Sequence, residues 1–265
     1  MKTVEMAGVV IGEGLPKICI PLMAEKEDEL EEQGKKADDL PCDLVEWRAD
    51  YMGIDFLRDI DRMAAAALRL RKATSKPVII TIRTSEEGGM AKLDRRDYYS
   101  IIRDVAEEVD ADGIDIEAFD EQQGFNAEKI EFLVGIAHSR NKKVILSSHD
   151  FSGTPDRDVM AKRLIVMQEL GADIPKIAVM PKEEQDVEDL IEAAHIMKEK
   201  YCRRPFIALS MGELGAKTRV CGGSFGSAVT FAGGGKAAGM ETSAPGQMEA
   251  EKLKAYICDY YRDNV

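Results

Sequence analysis

No CxxC pair occurs in the chain. Its five cysteines, Cys19, Cys42, Cys202, Cys221 and Cys258, are odd in number and scattered, which supports neither a zinc site nor a disulfide framework. Reduced thiols in a cytoplasmic protein are the plain reading. Long apolar runs are missing too. No stretch approaches a membrane span, and Glu5 and Glu13 interrupt the N-terminal apolar stretches where a signal-peptide core would have to lie. Positive charge is in short supply: 36 Lys and Arg face 49 Asp and Glu, a formal net charge of −13. A surface of that sign repels phosphate backbones and anionic lipid, which argues against nucleic-acid and membrane partners. A small anionic substrate remains admissible, because a few local arginines outweigh a diffuse field screened by salt.

What is present suits one large core. Of the 265 residues, 45% are hydrophobic and 32% charged, a balance far from that of disordered chains. Eight short apolar runs recur, at Lys17–Met23, Leu44–Arg48, Val78–Arg83, Gly113–Glu117, Val144–His149, Ile174–Met180, Phe206–Met211 and Ala228–Ala232. Most are spaced by one strand plus one crossover helix. Their near-continuous hydrophobicity is that of strands covered on both faces. Between them lie helix-patterned stretches such as Phe56–Lys72 and Asp186–Lys200, the latter acidic early and basic late as a helix dipole favours. Eight alternations without a Pro/Gly/Ser-rich linker predict a single domain, residues 1–265, folded as a (β/α)8 TIM barrel. A doubly wound sheet often carries a glycine-rich turn after its first strand, and none follows Met23. Thr3–Ile11 reads as a short N-terminal β-hairpin closing the barrel floor.

Barrel chemistry is built at the C-terminal ends of the strands. Near those ends stand Glu46, Arg48, Arg83, Asp115, Glu117, His149, Lys176 and Met211. Lys176, within ADIPKIAVM, sits in an interior strand. Burial of an ammonium is costly, so such a lysine either becomes a neutral amine, nucleophilic toward ketones, or pairs with a carboxylate on a neighbouring strand. Both readings stand. His149 ends VILSSH, where an imidazole titrating near neutral pH serves either as a proton shuttle or as a structural hydrogen-bonding group. His138 and His195 fall in helical stretches and read as surface or packing residues. Arg48 and Arg83 each close an apolar strand. A guanidinium there binds a carboxylate or hydroxyls, or forms an internal salt bridge, for example with Glu46.

Five motifs in order along almost the whole chain, DLVEWRAD, TIRTSEEGG, SSHDF, GADIPKIAVMP and GSAVTFA followed by SAPGQ, resemble class I 3-dehydroquinate dehydratases of the shikimate pathway. The lysine strand combined with SAPGQ is highly specific to that family. The resemblance implies a hydro-lyase of aromatic amino acid and chorismate biosynthesis that eliminates water from 3-dehydroquinate to give 3-dehydroshikimate. It assigns Lys176 to the Schiff base, His149 to proton transfer, and Glu87 to orienting and electrostatically supporting His149. Glu46, Arg48 and Arg83 would hold ring hydroxyls, and Arg219 the substrate carboxylate. Ser243 and Gln247 would close over the substrate, with Met211 and Phe231 as apolar walls. No metal and no cofactor is implied, because the lysine imine is itself the electron sink, and a cytoplasmic homodimer is expected. Pro21 departs from the serine of some members, Thr218 replaces a serine before Arg219, and AGGGKAAGMET before SAPGQ is longer than the pattern. A class I aldolase or transaldolase is the nearest alternative, with the AGGGK stretch (Ala232 to Lys236) as a phosphate cradle or a lid hinge. A non-catalytic metabolite-binding barrel would retain the arginines without needing both Lys176 and His149.

Overall fold

The computed structural model describes residues 2–119, 125–235, 240 and 242–264. Its strands are β1 (Val4–Met6), β2 (Val9–Ile11), β3 (Lys17–Leu22), β4 (Leu44–Arg48), β5 (Val78–Thr81), β6 (Gly113–Glu117), β7 (Lys143–Asp150), β8 (Ile174–Val179), β9 (Ile207–Ser210) and β10 (Val229–Phe231). Helices α1 (Glu27–Asp38), α2 (Ile54–Leu57), α3 (Ile60–Ala73), α4 (Arg95–Glu108), α5 (Ala127–Ser139), α6 (Arg157–Glu169), α7 (Glu184–Ile196), α8 (Ala216–Phe225) and α9 (Ala250–Asn264) alternate with them. The last eight strands form one parallel sheet in the order β10-β3-β4-β5-β6-β7-β8-β9. A bridge between Phe206 and Ser227, with the Ala228 N–H donating to the Phe206 carbonyl at 2.8 Å, brings its two edges together. The sheet is thus rolled into the expected (β/α)8 barrel.

All eight barrel strands lie where the apolar runs place them, with ends shifted by a residue or two; Arg83 falls two residues past β5. The helical readings need two corrections. Residues 56–72 do not make one helix: α2 stops at Leu57, and α3 restarts at Ile60 because the Asp59 carboxylate caps the Arg62 N–H at 3.1 Å. The stretch read as Asp186–Lys200 begins earlier, at Glu184, and its end winds into a π turn over Met197–Tyr201.

Alternate residues of each strand point inward, so the barrel interior is built in levels. The lowest level is apolar, with Cys19, Leu44, Ile79, Ile145, Ile174, Ile207 and Val229 packed together. The β1–β2 hairpin, antiparallel from Val4↔Ile11 to Met6↔Val9, adds Val4, Met6 and Ile11 to this cluster and stoppers the floor. Gly113 supplies the room: a Cβ there would stand 3.0 Å from the Met6 methyl. One pleat higher the interior turns polar, with Glu46, Thr81, Asp115, Ser147 and Lys176 beside Leu209 and Phe231. Side chains on the other strand face, among them Ile80, Ile114, Ile116, Leu146 and Ile177, pack against the helices in the larger core. This period of two puts Glu46, Asp115, Glu117, His149 and Lys176 above the apolar floor, while Lys17 and Lys143 open their strands at the opposite rim.

Candidate active site

Lys176 and Ser147 are register partners on β8 and β7. His149, two residues beyond Ser147, therefore stands one pleat above Lys176 on the adjacent strand, about 6–7 Å along the barrel. Lys176 is 4% exposed and does not stand alone. Its Nζ lies 3.0 Å from Asp115 Oδ2, 3.8 Å from Glu46 Oε1 and 4.7 Å from the Phe231 ring centre. A carboxylate pairing is therefore present in the resting protein, but with acids of β6 and β4 across the barrel rather than of a neighbouring strand. The amine faces the cavity between these two acids and an aromatic wall. Asp115 is fixed in turn by Ser147 Oγ at 2.6 Å and Arg83 Nη2 at 2.8 Å. Burial opposes its charge, yet Arg83, Lys176 and His149 hold its carboxyl well below the usual range.

The His149 ring is oriented by the acid four residues past Arg83. Nδ1 lies 2.8 Å from Glu87 Oε2, which also accepts the His149 backbone N–H at 3.1 Å and Arg83 Nη1 at 3.4 Å. Two fixed donors already aim at Oε2, so Nδ1 is assigned as a third and Nε2 is left unprotonated, available as a base. Burial, then the Arg83 and Lys176 charges, push the imidazole pKa well below its ordinary value. Burial and the neighbouring Glu117 carboxylate push Glu87 up. The loop that delivers Glu87 depends on its glycines. Gly88 adopts φ +81°, where a Cβ would meet the Phe151 ring at 2.3 Å, and a Cβ on Gly89 would lie 2.1 Å from the Arg83 carbonyl oxygen.

The strand-end arginines are tied to acids. Arg48 forms a two-pronged bond with Asp50, at 2.8 and 2.7 Å, rather than the pairing with Glu46 considered from sequence. Glu46 instead accepts from Thr81 Oγ1 at 2.8 Å. Arg83 reaches Asp115, Ser147, Glu117 and Glu87. Burial works against its charge, but Asp115, Glu117 and Glu87 hold the guanidinium well above its ordinary value.

Arg219 is different. It is 1% exposed on α8, and its Nη groups bond only the carbonyls of Phe231 (3.4 Å) and Pro245 (3.0 Å). Its Nε has no partner, and among the described residues no acid pairs with it. Burial alone draws its pKa down to about 10. Thr218 does not join it in the cavity; its hydroxyl donates to Gly215 O at 2.7 Å and accepts from Ser210 N–H at 3.1 Å. Ser243 and Gln247 bond one another, Gln247 Nε2 donating to Ser243 Oγ at 3.0 Å and Ser243 N–H to Gln247 Oε1 at 2.9 Å.

All eleven site residues named from sequence line one cavity: Glu46, Arg48, Arg83, Glu87, His149, Lys176, Met211, Arg219, Phe231, Ser243 and Gln247, around about 510 Å³ of empty space. Sequence reasoning left out Asp50 and Ser147 and placed Asp115 and Glu117 at a strand end without giving them a role; all four hold those side chains in place. The signal for two of them was the alternation Gly113-Asp115-Glu117, which puts both acids on the inward face of β6. His138 is structural, its Nε2 2.8 Å from Asp173. The described part of the glycine stretch faces three acids and Lys36. Gly234 and Gly235 line a separate depression with Asp39, Glu249 and Glu251, and a Cβ on Gly235 would stand 3.2 Å from the Glu249 carboxyl. Lys236, with residues 237–239 and 241 of the long segment before SAPGQ, lies outside the described residues.

An amine and an imidazole one pleat apart, facing a guanidinium that meets no acid among the described residues, are a set of groups suited to carbonyl chemistry on a carboxylate-bearing molecule. Comparison with known proteins gives the family. The model of type I 3-dehydroquinase matches residues 18–260. A 3-dehydroquinate dehydratase of Clostridium novyi (strain NT) is 43% identical over 258 residues, 97% of either chain. One from Bacillus licheniformis is 40% identical over 264 residues, 99% of either chain. Among solved structures, the type I 3-dehydroquinate dehydratase of Clostridium difficile with covalent modified comenic acid has a TM-score of 0.88 at 35% identity, over 99% of this chain and 98% of that one. The Geobacillus kaustophilus enzyme also has a TM-score of 0.88, at 30% identity, over 100% and 98%. The chain belongs to the type I 3-dehydroquinase family.

Proposed function

We propose that this protein is a 3-dehydroquinate dehydratase, converting 3-dehydroquinate to 3-dehydroshikimate through an imine on Lys176, in the shikimate pathway of aromatic amino acid biosynthesis. One observation carries the reading: Lys176, His149 and the acid-free Arg219 open onto a single cavity. Arg219 takes the substrate carboxylate, which sets the ketone against Lys176. Released from its pair with Asp115, Lys176 gives up its ammonium proton and adds as the free amine to the carbonyl carbon; that proton goes to the carbinolamine hydroxyl, which departs as water and leaves an iminium. That cation acidifies the adjacent C–H bond. His149 Nε2 removes the proton, giving an enamine and an imidazolium stabilised by Glu87. The enamine expels the β-hydroxyl, which leaves as water with the proton returned by His149. Water then hydrolyses the iminium, restoring Lys176.

Glu46 and Arg48 supply polar contacts for the ring hydroxyls, Arg83 organises the acids between them, Met211 and Phe231 form the apolar wall, and Ser243 with Gln247 covers the entrance. We read residues 1–265 as one catalytic domain, since the last barrel strand pairs with the first, and the enzyme as a cytoplasmic homodimer. Among the described residues no helix is long and apolar enough to cross a membrane, and Cys19, Cys42, Cys202, Cys221 and Cys258 are free thiols. Incubation with 3-dehydroquinate and sodium borohydride, followed by peptide mass spectrometry, tests the reading. A reduced adduct on Lys176 is expected and Lys176→Ala should give none; an adduct on any other lysine overturns it.

A further inference from the structure

The dyad Glu87–His149 is the end of a longer row of buried charges. Arg95, on α4 outside the barrel, reaches Glu117 at 3.3 Å; Glu117 reaches Arg83 at 3.3 Å; Arg83 reaches Glu87 at 3.4 Å; and Glu87 holds His149. Glu117, fully buried at the end of β6, also accepts the Thr84 N–H and hydroxyl, both at 2.8 Å. Four donors, two of them cationic, converge on it, which is the setting of a charged carboxylate. It therefore shares Arg83 Nη1 with Glu87, and Ser147 Oγ takes a third share at 2.9 Å.

Among the described residues the connected network contains the carboxyls of Glu46, Asp50, Glu87, Asp115 and Glu117 against four cations, Arg48, Arg83, Arg95 and, as ammonium or iminium, Lys176. One acid is in excess, and the fifth positive charge is the proton that passes through His149. We propose that Glu117 and Arg95, neither of which touches the substrate cavity, are positioning residues that set how readily the Glu87–His149 dyad takes up that proton. Glu117 withholds half of the Arg83 nitrogen from Glu87 and adds a like charge beside it. Arg95 neutralises part of Glu117. The two residues thus act on the dyad in opposite senses. The remaining charges around Glu87 and His149 come from Arg83 on the loop after β5, Arg48 on β4, Asp115 on β6, Lys176 on β8, Glu86 beside Glu87, and Arg163 on α6. None of these is altered by the substitutions below.

The inference rests on His149 acting as the base, and the pH dependence of kcat/KM tests it. Glu117→Gln removes the excess acid beside the dyad, lowers its affinity for the proton, and should move the acid limb down by roughly one pH unit. Arg95→Met leaves Glu117 less compensated and should move the limb up, while Arg95→Lys, which keeps the charge, should restore it toward wild type. Thermal melting of each variant separates folding from tuning, and the Arg95 pair decides the matter if Glu117→Gln does not fold. Shifts of the same sign, or altered melting temperature and KM with an unmoved limb, overturn the proposal. If His149→Ala keeps wild-type turnover, the base assignment fails instead, and the two failures are told apart.

Discussion

Replacing Arg219 with methionine should make the protein more stable and far less active. The guanidinium is almost wholly buried, and burial alone draws its pKa from the ordinary arginine value down to about 10. A lowered pKa in the folded state means that the charged form is disfavoured by folding. The penalty is fully present below about pH 10 and fades only above it. At about 1.4 kcal/mol per pH unit, keeping this cation costs the empty enzyme about 3 kcal/mol. Methionine fills a similar volume without charge. It forfeits the bonds to the Phe231 and Pro245 carbonyls, about 1 kcal/mol each. The balance is a gain of about 1 kcal/mol, or a melting temperature higher by about 2–4 °C for a chain of this size. Substrate meets the opposite outcome. Its carboxylate enters an apolar pocket without a counterion, which costs about 3–4 kcal/mol and lowers kcat/KM by about 100- to 1000-fold. Calorimetry of the unliganded variant and ultraviolet assay of the conjugated product measure the two effects on the same samples. A variant that melts several degrees lower and keeps its kcat/KM would refute the reasoning, because Arg219 would then be a structural group.

His149→Ala should still form an imine that borohydride traps on Lys176, but turnover should fall by about 100- to 10,000-fold, the range of a general base; stopped-flow and steady-state rates distinguish the two stages. Because burial lowers the His149 pKa, kcat/KM should stay flat through the pH range of an ordinary imidazole and decline only below about 6.5. The same lowering means that the unfolded chain binds a proton there which the folded enzyme does not. His149 should therefore make the fold progressively less stable as pH falls below 6.5, and the pH dependence of thermal melting in His149→Ala should be correspondingly weaker.

The barrel was legible because parallel strands covered on both faces must be apolar almost throughout, so VIITI and KVILSS announce themselves. The reactive residues were legible for a related reason: a charge inside such a run, as in ADIPKIAVM, has to be explained. The partners of those charges were less visible. Lys176 meets Asp115 across 61 positions of sequence, and Arg83 meets Ser147 across 64, distances that no local pattern encodes. Asp50 was hidden by nearness. It lies two residues from Arg48 in sequence, but only the short turn at Ala49–Met52 folds its carboxylate back onto the guanidinium. The break between α2 and α3 escaped because the apolar spacing continues through it, and the cap that restarts the helix is a single aspartate among several.

The stopper at the bottom of the barrel decides how traffic runs. With Val4, Met6 and Ile11 wedged beneath the strands, the interior is a blind well rather than a conduit, and nothing can pass along its axis. Water expelled in the elimination and water needed to free the product must both travel at the rim. Arrival and departure therefore take turns there. A ligand that lodges at the rim and fills no part of the well would still halt every later step.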